Sequence, residues 1–543
     1  MKTPFAITLD VGSSLLNKTG SWRTERPVYV DRLPPCNNAC PAGENIQQWL
    51  YHAEEGNYRR AFEEIMRDNP LPAIMGRACY HPCETSCNRA KLDQAVNIHA
   101  VERFLGDQAL REGWRVAIPV PASGRRVLVI GAGPSGLSAA YHLAMAGHAV
   151  EIHEAGPLPG GMMRFGIPKY RLPRDVVDGE TQRILDLGVT LKLNTKVEDI
   201  PAIMQAGGFD ACFVAIGAHL AKRVNIPSPD AGRILDAVSV LRGMETDAEP
   251  PQLGRRVVVY GGGNTAVDMA RTAKRLGAEE AVIVYRRTRE QMPAHDFEVD
   301  EALEEGVVVN WLRTITEIEE QQFKIEKMKL DDDGWPQPTG EFETIEADTL
   351  VLALGQNVDT SILENLPGVS IGRDGVVEVG KDMMTGYPGV FAGGDMVPSE
   401  RTVTVAVGHG KKAARHIDAY LKQDRYTPGP KHELAEFELL NTWYYTDAEQ
   451  TVQPMLNDIR RQTTFEEVLG GLDESNALYE ARRCLSCGNC FECDNCYGVC
   501  PDNAITKLGP GKRFEFKTDY CKGCGLCVEE CPCGAIKMVP EEI

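Results

Sequence analysis

Between Arg126 and Glu154 the chain reads RVLVIGAGPSGLSAAYHLAMAGHAVEIHE, and no other stretch restricts the fold as much. Val127 to Ile130 form an apolar run that enters Gly131-Ala132-Gly133-Pro134-Ser135-Gly136, and small residues such as Ala139 and Ala140 then continue at helical spacing. That order is strand, tight turn, helix. The glycines let the backbone approach a pyrophosphate, whose charge is favoured by the unpaired N–H groups and dipole at the helix start. About twenty residues further on, AVEIHE supplies a second strand ending in Glu154, placed to accept hydrogen bonds from a ribose. A glycine pattern alone is weak evidence; the two strands and the terminal acid make it a dinucleotide-binding unit.

A second unit begins at Arg255, RRVVVYGGGNTAVDMARTAKRLGAEEAVIVYRRTR. Its turn is Gly261-Gly262-Gly263, its helix starts at Asn264 and Thr265, and two such units imply two nucleotides. The strand ends differ: the first carries Glu154, the second Tyr285-Arg286-Arg287. A carboxylate repels a 2'-phosphate, whereas guanidinium forks pair with it. The nicotinamide cofactor is therefore expected on the second unit, with NADP(H) preferred over NAD(H).

At 543 residues the chain has room for about three or four domains. A formal net charge of -20 argues against nucleic acid and anionic membrane as partners. Apolar runs such as VLVIGAG are far shorter than the roughly 20 residues of a membrane span. The start, MKTPFAITLDVG, has no adequate apolar segment for a signal peptide, so the expected compartment is the cytoplasm.

The seventeen cysteines are grouped: five precede residue 90, eleven crowd Cys484 to Cys533, and Cys212 stands alone. A long cytosolic chain does not use such groups for disulfides, because its compartment keeps thiols reduced. Cys490, Cys493, Cys496 and Cys500 before Pro501, then Cys521, Cys524, Cys527 and Cys531 before Pro532, repeat the bacterial two-cluster ferredoxin spacing. There the fourth cysteine of each run serves the other cluster, which assigns Cys490, Cys493, Cys496 and Cys531 to one [4Fe-4S] and Cys521, Cys524, Cys527 and Cys500 to the other. Near the N-terminus, Cys36 and Cys40, then Cys79, Cys83 and Cys87, lie among segments of helical periodicity, ENIQQWLYHAEEGNYRRAFEEIMRDNP and NIHAVERFLGDQALREG. Iron-sulfur ligation is the first reading of these and zinc the second; Cys212 and Cys533 are left as spectators.

The segments CNNACPAGENI, NPLPAIMGRACYHPCETSC and VNIHAVERF, followed by the dinucleotide motif, resemble the glutamate synthase small-subunit family over roughly residues 34 to 425. Its relatives include the N-terminal half of dihydropyrimidine dehydrogenase and the ferredoxin:NADP transhydrogenase large subunit. The resemblance implies FAD on the first unit, NAD(P)H on the second and two [4Fe-4S] clusters in the N-terminal domain. It places Gly161, Met162 and Arg171 along the flavin and its pyrophosphate, Gly217 at the close of the first lobe, and Asp395, after Gly394, on the ribityl chain. Val197, Gly355, Thr402 and Val403 complete the expected nucleotide-binding set, the last two opening a small-residue helix aimed at the flavin. Cys40, Cys79 and Cys83, with Glu102 as fourth ligand, are expected to hold the cluster nearest the flavin. The family's other N-terminal cluster uses a leading Cys-x2-Cys, absent before Cys36; ARRCLSCG supplies Cys484 and Cys487 instead, so a cluster on Cys36, Cys87, Cys484 and Cys487 is expected, four in all.

The expected fold is multidomain α/β: a tail (1–33), a helical iron-sulfur domain (34–120), FAD-binding parts (121–250 and 351–425) around an NAD(P)H domain (251–350), a linker (426–483) and a ferredoxin domain (484–543). ADTLVLALGQ is read as the return to the flavin lobe. Nicotinamide exchanges electrons in pairs and clusters exchange them singly, with a flavin able to do both. The expected activity is an NAD(P)H:ferredoxin or acceptor oxidoreductase subunit in a hetero-oligomer, coupled to a 2-oxoacid:ferredoxin oxidoreductase or similar partner. Delivery of NADPH electrons to a glutamate synthase large subunit and a non-catalytic electron relay are the alternatives.

Overall fold

The computed structural model describes residues 18–541 apart from 223, 225, 228–233 and 247–248; most of the expected N-terminal tail (1–17) and the signal-peptide reading lie outside the described residues. Two parallel five-stranded sheets form the centre. The first runs Val390–Ala392, Ala211–Val214, Arg126–Ile130, Ala149–His153, Thr190–Lys192 in spatial order. Parallel strands covered on both faces are apolar throughout, and Val127, Leu128 and Val129 are fully buried. The Pro134–Met145 and Val403–Leu421 helices pack on each other beside this sheet, with small residues at their contact. Gly410, for instance, lies against the Ser135 carbonyl and the Ala139 amide.

The second sheet runs Val308–Trp311, Glu280–Tyr285, Arg256–Tyr260, Thr349–Leu352, Ile234–Asp236. Its two faces are closed differently. The Asn264–Arg275 and Ala237–Thr246 helices contribute Ala266, Met269, Ala270 and Leu241 to the core on one face. An antiparallel sheet, Arg313–Glu319, Gln322–Leu330 and Pro336–Glu346, sets Ile315, Phe323 and Ile325 against Val258, Val284 and Leu350 on the other.

This sheet corrects two boundaries. ADTLVLALGQ does not return to the flavin lobe: Thr349–Leu352 pairs with Arg256–Tyr260 on one side and Ile234–Asp236 on the other. An apolar strand with no partner-specific side chain fits either parallel sheet, so its pattern could not show which. The nicotinamide lobe thus starts before residue 251 and ends after 350, and the crossing back is the short Leu220–Ala221 and Gln356–Asn357 ribbon.

Two segments expected to be loose are built in. Glu25–Tyr29 pairs antiparallel with Ile536–Pro540, from Glu25 opposite Pro540 to Tyr29 opposite Ile536. Within the expected linker, the Glu474–Arg482 helix packs on the Ile46–Glu54 and Ile98–Arg111 helices and buries Ala477 and Ala481 in the iron-sulfur domain's core. Further anchors come from charge: Glu467 pairs with Arg77 (2.6 Å) and Arg103 (3.0 Å), while Arg461 reaches Glu304 at 2.9 Å. The stretch 426–483 is a strap across three domains.

Candidate flavin, nicotinamide and iron-sulfur sites

At the first dinucleotide turn Gly131 has φ 103°, and a Cβ there would stand 2.5 Å from the Ala215 carbonyl oxygen. Gly161, φ 52°, comes so close to Gly133 that a Cβ would lie 2.8 Å from its Cα. Two backbones with no side chain between them form the narrow cradle a pyrophosphate needs. Beside it Ser135 is buried with its Oγ unpartnered, and a Cβ on Gly394 would lie 3.1 Å from the Ser135 Cβ. An orphaned buried hydroxyl is a place for a ligand's acceptor. Glu154 is fixed by accepting from the Ala132 amide (2.8 Å) and the Gly156 amide (2.7 Å), so its carboxylate stands at the turn. Thr402 caps the Val403–Leu421 helix through the Val405 amide at 3.2 Å. Burial raises the Asp395 carboxyl to about 6, with no hydrogen bond to offset it. Val197 is buried; Met162 begins the short helix after Gly161; Gly217 and Gly355 both take positive φ at strand exits. These residues fit FAD.

Arg171, expected along the flavin, reaches across to the other lobe. Its guanidinium pairs with Asp268 at 2.9 Å and with Glu298, both in the nicotinamide lobe, so it ties the two lobes together rather than lying free along the flavin.

In the second unit Gly261 has φ 148°, and a side chain on Gly262 would strike the Tyr285 ring. Gly263 is open, and Asn264 at the helix start accepts from the His295 amide at 3.1 Å and donates to Tyr80 Oη at 2.7 Å. Thr265 follows, half-buried. Tyr80 comes from the iron-sulfur domain and stacks on the His295 ring at 3.7 Å, a contact no sequence pattern signalled. Arg286 is exposed at the end of its strand, and Arg287 lies over the Trp335 ring at 4.8 Å. Two cations at a strand end, one braced on an aromatic face, suit a 2'-phosphate.

The cysteines fall into sets. Cys40 and Cys79 end their helices, Cys83 lies in the Pro82–Thr85 turn, and the His81 amide donates to Cys79 Sγ at 3.4 Å. Glu102 is 6 % exposed, not a surface carboxylate, and accepts from Asn69 Nδ2 at 2.8 Å. The same amide donates to Glu44 at 3.0 Å. Burial, then repulsion from Glu44, pushes the Glu102 carboxyl far up, and burial raises Glu44 to about 7. Burial and these two carboxylates also push the Cys40 thiol up. Such crowding of acids and thiols fits a cationic cluster, which lets them ionise together. Glu44 escaped the sequence reading, although it stands four residues after Cys40.

In the C-terminal domain Cys500, Cys521, Cys524 and Cys527 line one cavity, with Pro27 of the N-terminal strand over it. Burial raises Cys490, Cys493 and Cys496, and Cys531 is a charged neighbour of all three. Both groupings follow the ferredoxin assignment. Cys524 is the exposed cysteine.

Comparison with known proteins agrees with this inventory. The pyridine nucleotide-disulphide oxidoreductase family matches residues 125–410. The dihydropyrimidine dehydrogenase domain II, 4Fe-4S cluster family matches 24–114, and a 4Fe-4S dicluster domain matches 489–535. The chain is 37% identical to the NADP(+)-dependent formate dehydrogenase subunit beta of Moorella thermoacetica, over 83% of this chain and 70% of that one. It is 34% identical to the NADPH-Fe(3+) oxidoreductase subunit beta of Geobacter sulfurreducens, covering 84% and 76%. It is 32% identical to the glutamate synthase [NADPH] small chain of Escherichia coli, covering 72% and 89%. Residues 125–410 hold one cysteine, Cys212, so no disulfide can form within that segment. The chain belongs to the pyridine nucleotide-disulphide oxidoreductase family, and it is a FAD-dependent, NADP-linked oxidoreductase with iron-sulfur domains on both sides of its nucleotide-binding core.

Proposed function

We propose that this chain is the electron-exchange subunit of a larger enzyme, moving electrons between NADP(H) and a ferredoxin or a redox partner subunit that meets the C-terminal domain. The observation that carries this is the placement of the cysteines. Cys79 ends the Pro72–Ala78 helix, whose Met75 Sδ accepts from the Thr404 hydroxyl in the first turn of the Val403–Leu421 helix, and the far end of the series reaches the surface at Cys524. FAD bound in the first lobe supplies the exchange between hydride pairs and single electrons.

The protein's own groups do the positioning. Glu154 and the Gly131–Gly136 turn hold the adenosine and pyrophosphate, while Asn264, Arg286 and Arg287 hold the nicotinamide cofactor. Arg171, paired to Asp268 and Glu298, keeps the lobes facing each other. The relatives' printed names, a formate dehydrogenase subunit, an iron(III) oxidoreductase subunit and a glutamate synthase chain, support a partnered enzyme. A 2-oxoacid:ferredoxin oxidoreductase is the first candidate for that partner, because the fused ferredoxin domain resembles the small subunit of such enzymes.

The test is anaerobic. NADPH is expected to bleach the flavin of the isolated chain and then reduce added ferredoxin, and Cys521→Ala/Cys524→Ala is expected to keep the bleaching but lose ferredoxin reduction at least tenfold. Undiminished transfer in that variant would show that electrons leave elsewhere; absence of bleaching in the wild type would leave a relay.

A further inference from the structure

Cys36 and Cys87 are far from Cys484 and Cys487 in sequence, and the latter pair lies outside both iron-sulfur matches, 24–114 and 489–535. In the structure all four thiols line one cavity, whose walls are mostly apolar, Leu50, Ile98 and Leu485 among them, with Gln47, Asn88 and Arg89 as its polar members. We propose that this cavity is a [4Fe-4S] site held by Cys36, Cys87, Cys484 and Cys487, a cluster that joins the helical and ferredoxin domains.

The loops that carry the thiols are held in place by buried charge. Arg89 donates to the Arg483 carbonyl at 3.1 Å, and Arg483 donates to the Ala95 carbonyl at 2.8 Å and pairs with Asp93 at 3.2 Å. Glu480, fully buried, accepts from the Asn97 amide at 2.9 Å, and Gln47 donates to Ser486 Oγ at 3.3 Å. Donors are already aimed at sulfur: the Ser486 amide at Cys484 Sγ (3.4 Å) and Asn88 Nδ2 at Cys487 Sγ (3.5 Å). N–H groups directed at cysteine sulfur are how a protein tunes a cluster. Arg89 lines the same cavity, so a guanidinium stands beside the four thiols. A metal group at the centre would let all four thiols ionise as its ligands.

Spacing favours a cubane over zinc. A Zn(Cys)4 tetrahedron with 2.3 Å bonds has sulfur–sulfur edges of about 3.8 Å. Among the described residues no three cysteine sulfurs lie within 4.8 Å of one another, which leaves room for a larger group at the centre. Location also favours it. Cys83 of the flavin-side set is buried in the apolar cluster against which Cys36, Cys87 and Cys484 pack. On the other side Tyr445 is half-buried, its hydroxyl donating at 2.8 Å to the carbonyl of Leu485, which lies between Cys484 and Cys487 in the chain. The Gly488 amide bonds the Cys533 carbonyl at 2.6 Å, so the two loops touch directly. A redox-inert ion here would interrupt the series at its middle.

The experiment uses the full chain, reconstituted anaerobically, with iron, sulfide and zinc analysis and EPR of the dithionite-reduced protein. Cys484→Ala/Cys487→Ala is expected to lose about four irons and four sulfides per chain relative to wild type. Cys36→Ala, changed at the other end of the sequence, is expected to lose the same EPR component, and Cys533→Ala to lose none. Retained FAD and NADPH bleaching in each variant separate loss of the site from misfolding, and also from failure of the proposed function, which would abolish bleaching in the wild type. Full iron in the double variant, or one zinc per wild-type chain that disappears with it, overturns the proposal.

Discussion

Arg286 and Glu102 are single side chains on which two roles rest. Arg286 is exposed at the strand end where the first unit has Glu154, and a charge-assisted contact to phosphate is worth about 1.5–3 kcal/mol. Arg286→Ala is expected to lower kcat/KM for NADPH roughly ten- to a hundredfold and leave NADH nearly unchanged. Equal losses for both cofactors would remove the arginine from 2'-phosphate recognition. Glu102→Ala is expected to change the g values and midpoint potential of one cluster in an EPR redox titration, while Glu44→Gln leaves the g values in place. The sequence led to Glu102 through family position, and the structure buries it, with Asn69 as its hydrogen-bond donor. Glu44 was legible only once Asn69 was seen to bridge the two carboxylates, because a shared amide donor has no sequence signature.

Elements whose role is written in their own pattern were legible: both dinucleotide units and the ferredoxin runs could be read from glycine and cysteine spacing. Elements defined by what they pack on were not. Thr349–Leu352 is apolar enough for either sheet, and Glu474–Arg482 looks polar because only Ala477, Ala481 and Glu480 face inward. The Asp458–Thr463 helix belongs with these. Its Arg461 joins Arg271 and Arg275 around the fully buried Glu305, at 3.4, 2.7 and 2.7 Å, and Arg275 also lies 3.7 Å from the Tyr170 ring centre. Burial by itself would raise the Glu305 carboxyl, but the hydrogen bonds from Arg271 and Arg275 hold it below 4.5. Its contribution to stability is therefore complete above pH 4.5 and is lost as pH falls through the depressed folded value. Glu305→Gln takes the carboxylate from Arg275, while Arg271 keeps Glu301 and Arg461 keeps Glu304, and is expected to cost about 3–5 kcal/mol at pH 7. Thermal unfolding should show the gap from wild type shrinking below pH 4.5; a gap unchanged down to pH 3 would contradict the assignment.

Over the whole molecule, the strap changes what cleavage does. Gly429 to Lys431 is exposed, and trypsin should cut after Lys431. The nicked protein is expected to stay one particle in gel filtration, since the downstream piece is anchored by Glu467 to Arg77 and Arg103 and by Arg461 to Glu304 and Glu305. Separation into two particles without denaturant would mean those anchors are weak.

The pairing of Glu25–Tyr29 with Ile536–Pro540 also sets a timetable. Thr19 bonds the Tyr520 carbonyl 501 residues away, and Pro27 closes over the cavity of Cys500, Cys521, Cys524 and Cys527. At ribosomal speeds of about 5–20 residues per second, roughly 25 to 100 s separate the synthesis of the two partners. During that interval the early strand has an open edge and Cys36 and Cys87 have only each other. The nucleotide lobes can fold as they emerge, but the outer clusters have to be loaded on a chain whose first strand is still waiting. A cell that makes this protein faster than it delivers iron and sulfide should accumulate molecules with flavin bound and the C-terminal domain undocked.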